Sequence, residues 1–287
     1  MKALTPLPLS ELPEWSPWPA RLLGLEPWSI PVRTTKKIEQ EYDLDKYGSC
    51  LKFFQNSNRD DLTPESILNY QQGKDLTAPT CVSVGDELFT MPLGEALLHQ
   101  DLLRLEALND AMKKARVVVE LGCGYGYNLW RLHQKFPDKL YVGGEYSKNA
   151  VKLASMLFKN NPTIKVQEFD FYTAHYGLLD SYKASGPMVI FTAHAIEQLP
   201  SAVHVIKTLM PFGKMIQDIV LFEPIHELYD RSLLGLLCRR YTEVNDYNRD
   251  LLTCLRRYSE IRIDDLQAHA FGLNPLHPTS TIRCTFK

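Results

Sequence analysis

Three acids and three glycines stand where a strand-to-helix architecture holds a flat, polar ligand. Val117-Val118-Val119-Glu120-Leu121-Gly122-Cys123-Gly124-Tyr125-Gly126 runs a β-branched stretch into alternating glycines. Glycine lacks a Cβ and tolerates positive φ, so such a turn presses its backbone against a ligand. Glu120 opposes a pyrophosphate there and favours a cationic group such as an ammonium or a sulfonium. Glu145 follows about twenty residues past the turn, where a carboxylate accepts from the hydroxyls of a ribose. Asp170 lies between Phe169 and Phe171. An acid there accepts from an adenine amino group while an aromatic ring stacks on the base. One acid at a strand end is ordinarily a solvated turn residue; three with the glycine turn form a specific set.

A second group carries proton chemistry. His194 lies just past a predicted strand, and Glu197 follows at i+3, which puts both on one side of a helical turn. His194 is the first choice for a general base or a positioning donor, with reach deciding before pKa. Glu197 is expected on the substrate or cofactor side. Phe222-Glu223-Pro224-Ile225-His226 follows the next strand. Glu223 is expected to bind a substrate ammonium or hydroxyl, and His226 is an alternative base. Tyr241 and Tyr247 are expected to line a polar acceptor site, and Tyr47 to reach the cofactor from the N-terminal part. His194, Glu197, Glu223 and His226 have the donor types of a metal site, but their spacing demands none and no metal is expected.

These residues need an alternating strand-and-helix frame. Val117–Leu121, Leu140–Glu145, Ile164–Asp170, Met188–Ala193 and Lys214–Phe222 read as strands, with helices over 127–136, 148–160 and 202–210. Two helices fill 225–257. Ile261–Ala270 and Thr279–Phe286 are joined through Gly272, Pro275 and Pro278, which predicts an antiparallel hairpin. Upstream, 80–91 reads as a hairpin around Gly-Asp and 92–114 as a helix. Thr63 and Pro64 open a helix over 62–70, and 34–51 suits a short helix and turn. Residues 1–35, rich in proline and tryptophan, read as an extended arm.

With 287 residues, 45% of them hydrophobic, the chain has a sizeable core, and a net charge of −2 does not favour nucleic acid. No apolar stretch approaches the roughly 18 residues of a membrane span, and the N-terminus lacks a signal-peptide core, so a cytoplasmic protein is expected. The six cysteines form no C-x-x-C pair and read as reduced, buried thiols.

On these residues, 116–287, about 60% of the chain, resembles class I S-adenosylmethionine-dependent methyltransferases. Glu120 with Gly122, Gly124 and Gly126 matches the first motif of that family. Glu145 matches its ribose acid, Asp170 with Phe171 its adenine region, and Thr192–Leu199 its segment after the fourth strand. The resemblance implies a Rossmann-like, doubly wound α/β sheet of seven strands, mostly parallel with an antiparallel last strand. An N-terminal arm and cap over 1–95 would precede a cofactor domain over 96–287. Asn128 and Tyr146 join the implied cofactor contacts. S-adenosylmethionine is the implied cofactor, S-adenosylhomocysteine the product. The expected acceptor is a small polar metabolite methylated on nitrogen or oxygen, taken by a monomer or homodimer. A peptide or protein acceptor and a non-catalytic cofactor-binding scaffold are the alternatives. A nucleotide-dependent oxidoreductase is disfavoured because Tyr127 replaces the third dinucleotide glycine.

Overall fold

A computed structural model describes residues 4–29, 31–56, 62–73 and 75–287. Ten strands run in chain order: β1 (Thr5–Pro6), β2 (Pro79–Val84), β3 (Glu87–Pro92), β4 (Val117–Leu121), β5 (Leu140–Glu145), β6 (Ile164–Glu168), β7 (Met188–Ala193), β8 (Ile216–Glu223), β9 (Ile261–Phe271) and β10 (Thr279–Phe286). Seven form one sheet in the order β6-β5-β4-β7-β8-β10-β9. The pairs from β6 to β8 are parallel, and β10 lies antiparallel between β8 and β9. This is the doubly wound, seven-stranded α/β sheet that the motifs imply.

Its centre is legible residue by residue. All five residues of β4 are buried, as a parallel strand covered by helices on both faces must be. Val117, Val119 and Leu121 pack into one core with Val142 and Ile190, whereas Val118 packs into another with Tyr141, Val189 and Phe191. Alternate side chains leave a strand on opposite faces, so one apolar run serves two layers. The glycine turn sits at the carboxyl end of this central strand.

The N-terminal region is more built than its composition suggests. β1 adds to the β2–β3 hairpin in a three-stranded sheet, and Leu12 is fully buried. The expected extended arm is therefore corrected: Pro13 sits in the first turn of the Leu12–Trp15 helix, where its missing N–H costs nothing. Ser83 and Gly272 exchange backbone hydrogen bonds of 2.9 and 2.8 Å, which ties the small sheet to the end of β9. Residues 35–56 form one continuous helical segment rather than a short helix and turn. It comprises Thr35–Ile38, a π-helical stretch Glu39–Gly48 and Ser49–Asn56. Gly48 permits this, because a Cβ there would stand 3.0 Å from the Asp43 carbonyl oxygen.

A polar contact joins the apolar packing of Tyr47, Cys50, Leu51 and Phe54 on Tyr125, Ala150 and Leu153 in fastening this cap segment to the large sheet's helices. The Asp43 carboxylate accepts from Ser147 Oγ at 2.6 Å and from the Asn149 backbone N–H at 2.9 Å. Both donors lie at the N-terminus of the Lys148–Leu157 helix, where a negative charge is favoured. Asp43→Ala should destabilise this closure by about 1–3 kcal/mol. Hydrogen exchange should then speed up across 35–56 and stay unchanged in β4; unchanged exchange in the cap would refute the latch.

Candidate active site

The carboxyl ends of β4, β5 and β7, with the 169–172 segment after β6, surround a cavity of about 390 Å³, and the 35–47 segment closes over it. Gly122 and Gly124 have φ of +80° and +55°, in the left-handed region. Close approach also demands glycine: a Cβ on Gly122 would collide with Ala195, and one on Gly124 with the Tyr47 hydroxyl. The cap tyrosine therefore lies directly on the turn.

Glu145 is anchored on one side. Its Oε2 accepts from Gly124 N–H at 2.7 Å and its Oε1 from Ser147 N–H at 2.8 Å, and the residue lines the cavity. Burial raises its pKa, while those amide donors and Lys46 oppose the rise. Asp170 holds the Tyr172 N–H at 2.8 Å and lines the cavity beside Phe169, Phe171 and Tyr146. The Phe169 and Phe171 rings meet edge to face with centroids 5.0 Å apart.

The opposite wall is polar. His194 carries a φ of +54°, uncommon for a residue with a Cβ, and its N–H donates to the Phe222 carbonyl at 2.9 Å. Its Nδ1 lies 2.8 Å from Glu197 Oε2 and its Nε2 2.6 Å from Thr279 Oγ1. His277 Nε2 lies 2.8 Å from the same Glu197 oxygen, and Gln198 Nε2 donates to Glu197 Oε1 at 2.8 Å. Burial alone would raise the Glu197 carboxyl; the two histidines outweigh it and hold the pKa well below the usual range. Tyr247 stacks on the His277 ring at 4.6 Å, and Tyr241 packs beside it at 5.2 Å.

The sequence-predicted residues thus divide. Gly122, Gly124, Glu145, Tyr146, Asp170, Phe171, Tyr47, His194 and Glu197 line one cavity. Glu120, Gly126 and Asn128 are not in its wall. Glu120 Oε1 accepts from Asn128 Nδ2 at 2.6 Å, and Asn128 Oδ1 accepts from Arg104 at 3.1 Å, while Glu120 Oε2 is buried with no hydrogen-bond partner among the described residues. Gly126 begins the Tyr127–Lys135 helix, and a Cβ there would press on Phe158. Glu223 is not in the cavity wall either: its carboxylate takes the N–H groups of Ala195, Ile196 and Glu197 at 3.0, 3.1 and 3.2 Å. His226 is placed elsewhere, 3.7 Å from Glu243, with burial and Arg239 lowering its pKa. Tyr241 and Tyr247 stand behind His277 rather than in the cavity wall.

Three contributors are new to the site. Lys46 lines the cavity with its ammonium 5.4 Å from the centre of the Tyr42 ring and 5.1 Å from that of Tyr47; burial lowers its pKa and Glu145 opposes. His277 and Thr279 reach Glu197 and His194 from 80 and 85 residues away. No local spacing signals them; the only hint is a histidine in the breaker-rich link before the last strand.

Burial pushes the Glu120 carboxyl up to about 8, which couples this group to stability. A carboxyl raised on folding binds more protons in the native state, so its contribution is present below the unfolded pKa and is lost as pH rises through about 8. Glu120→Gln keeps the acceptor for Asn128 and removes that loss. The variant should melt higher than the wild type at pH 8.5, with the gap narrowing towards pH 5. An equal or lower melting point at pH 8.5 would refute the assignment.

No family model matches the chain, and no curated protein matches it in sequence. Several solved structures are similar to it. Geranyl diphosphate C-methyltransferase from Streptomyces coelicolor A3(2), in complex with Mg2+, geranyl diphosphate and S-adenosyl-L-homocysteine, is 10% identical at a TM-score of 0.48, over 68% of this chain and 81% of that one. The plantazolicin methyltransferase BpumL, in complex with a pentazolic desmethylPZN analog and SAH, is 11% identical at 0.45, over 88% and 100%. A SAM-dependent methyltransferase from Anabaena variabilis ATCC 29413 is 17% identical at 0.43, over 67% and 85%.

Proposed function

We propose that this chain is an S-adenosylmethionine-dependent methyltransferase acting on nitrogen or oxygen of a small polar metabolite. The observation that carries this reading is one cavity lined by Gly122 and Gly124, by Glu145 and by Asp170 with Phe171, and ending at His194 and Glu197. In this reading the adenine lies against Phe171 with its amino group towards Asp170. The ribose hydroxyls bond to Glu145, and the methionine part follows the turn beneath Tyr47. The sulfonium methyl then points at the His194–Glu197 wall, where the acceptor binds.

The chemistry asked of the protein is modest. A sulfonium methyl is already electrophilic, so aligning a nucleophile behind the C–S bond supplies much of the acceleration. The nucleophile's lone pair forms the new bond to carbon, the C–S pair returns to sulfur, and S-adenosylhomocysteine leaves. Tyr42, Lys46 and Tyr47 roof the cavity, which suits a small, enclosed acceptor. His194 acts here as a positioning group, because each of its ring nitrogens already has a partner.

Titration calorimetry with S-adenosylmethionine and S-adenosylhomocysteine tests the cofactor. Glu145→Ala should weaken S-adenosylhomocysteine binding by roughly 10- to 100-fold, the worth of hydrogen bonds to a charged group. Unchanged affinity would remove Glu145 from the ribose site. Methyl transfer is then screened over small amines and hydroxylated metabolites by release of S-adenosylhomocysteine. His194→Ala should bind S-adenosylhomocysteine within about threefold of the wild type and lower kcat by roughly 100-fold with little change in KM. A normal kcat would exclude it from the reaction.

A further inference from the structure

Glu197 Oε2 stands 2.8 Å from His194 Nδ1 and 2.8 Å from His277 Nε2, and the three atoms all lie within 4.8 Å of one another. From this we infer that His194, Glu197 and His277 form a binding site for one divalent transition-metal ion at the acceptor end of the cavity. The inference rests on the proposed reading for the acceptor's place, not for the ion itself. Of the four donors considered from sequence alone, His194 and Glu197 belong to the cluster, whereas Glu223 and His226 take no part.

Donor chemistry and geometry both suit an ion. Two imidazoles and one carboxylate select zinc, iron, cobalt, nickel or manganese over magnesium and calcium, which prefer all-oxygen cages. Nitrogen and oxygen ligands bind such ions at about 2.0–2.2 Å, which places neighbouring donors roughly 2.9–3.4 Å apart. The two spacings from Glu197 Oε2 to the imidazole nitrogens, 2.8 Å each, need to open by only tenths of an ångström, and the two nitrogens lie within 4.8 Å of each other. A supporting shell exists: Thr279 Oγ1 sits on His194 Nε2, Gln198 donates to the second Glu197 oxygen, and Tyr247 stacks on His277. Such partners orient metal ligands, and Thr279 sets the His194 tautomer; the buried Nδ1 of His277 has no hydrogen-bond partner among the described residues. On binding, each ring carries its proton on the nitrogen away from Glu197, and His194 donates to Thr279. The φ of +54° at His194 marks a backbone held off its preferred region to aim this ring. His277 and Glu197 are buried, whereas His194 and Glu197 face the cavity, so the open coordination positions point at the acceptor.

An ion there would activate an acceptor hydroxyl that His194, with both ring nitrogens engaged, does not deprotonate itself. Oxygen bound to the ion loses its proton to water more readily. Its lone pair then forms the O–CH₃ bond as the C–S pair returns to sulfur.

The test uses the full chain, freed of metal by a chelator and titrated with Zn2+, Co2+ and Mg2+. One Zn2+ or Co2+ per chain, binding far tighter than Mg2+, is expected. The Co2+ spectrum should lack a thiolate charge-transfer band, since all six cysteines lie outside the cluster. Thr279→Val should weaken binding by about 10- to 100-fold, and Glu197→Gln and His277→Gln by more. His226→Gln should bind as the wild type does. If Glu197→Gln does not fold, His277→Gln and the Co2+ spectrum decide. No saturable binding, a thiolate band, or equal binding by wild type and the folded cluster variants would overturn the site. A parallel titration with S-adenosylhomocysteine separates the two proposals: ion binding without it would fail the cofactor reading alone.

Discussion

The buried Glu223 carboxylate is the contact on which the active-site wall depends. It stands at the carboxyl end of β8 with no solvent exposure and accepts three successive backbone N–H groups from residues 195–197. A carboxylate taken from water is costly unless such donors replace its hydration. Here the donors belong to the segment that carries His194 and Glu197. The anion thus converts a free loop after β7 into a fixed scaffold. The His194 N–H bond to Phe222 adds a second tie between the same two strand ends. A residue of ligand-binding type is thus used to build a wall of the cavity.

The roof is made by a different device. The cap segment is held by side-chain bonds to the Lys148–Leu157 helix and by apolar packing of Cys50, Leu51 and Phe54 on Ala150 and Leu153. Asp43 meets that helix at its N-terminus, and Gly48 lets the π-helical stretch pack beneath Asp43 and beside Asn149. One consequence is the placement of Tyr47 on Gly124. Another is Lys46, an exposed residue that lines the cavity with its ammonium beside the Tyr42 and Tyr47 rings. Regions with π-helical geometry recur at functional sites, and Tyr42, Lys46 and Tyr47 of this one line the cavity.

Glu120 shows how one strand end serves two structures. The glycine turn behind it faces the cavity, whereas its own side chain is spent on Asn128 and, through it, on Arg104 of the Leu93–Met112 helix. That chain of bonds joins the Leu93–Met112 helix to the central strand β4 and to the helix that follows its glycine turn. Gly126 and Asn128 contribute to the same joint. The motif is therefore as much about seating a helix as about meeting a ligand.

Much of the frame was legible from residue order. The β-branched run into alternating glycines specifies a buried strand, a left-handed turn and a helix start, because period-two burial, glycine's φ freedom and 3.6-residue spacing are local properties. The closing hairpin was legible because Gly272, Pro275 and Pro278 cannot continue a helix. The helical cap was misjudged because its π-helical stretch depends on Asp43 reaching Ser147 and Asn149, about a hundred residues on. Which way Glu120 and Glu223 point was equally illegible, since each is turned by donors on other elements. The wall itself was decided by sheet order: placing β10 beside β8 brings Thr279 to His194, with His277 against Glu197. Sequence alone determined which residues stand at the strand ends. Only the tertiary structure decided which of them face the same space, because that depends on pairings between segments that no local pattern encodes.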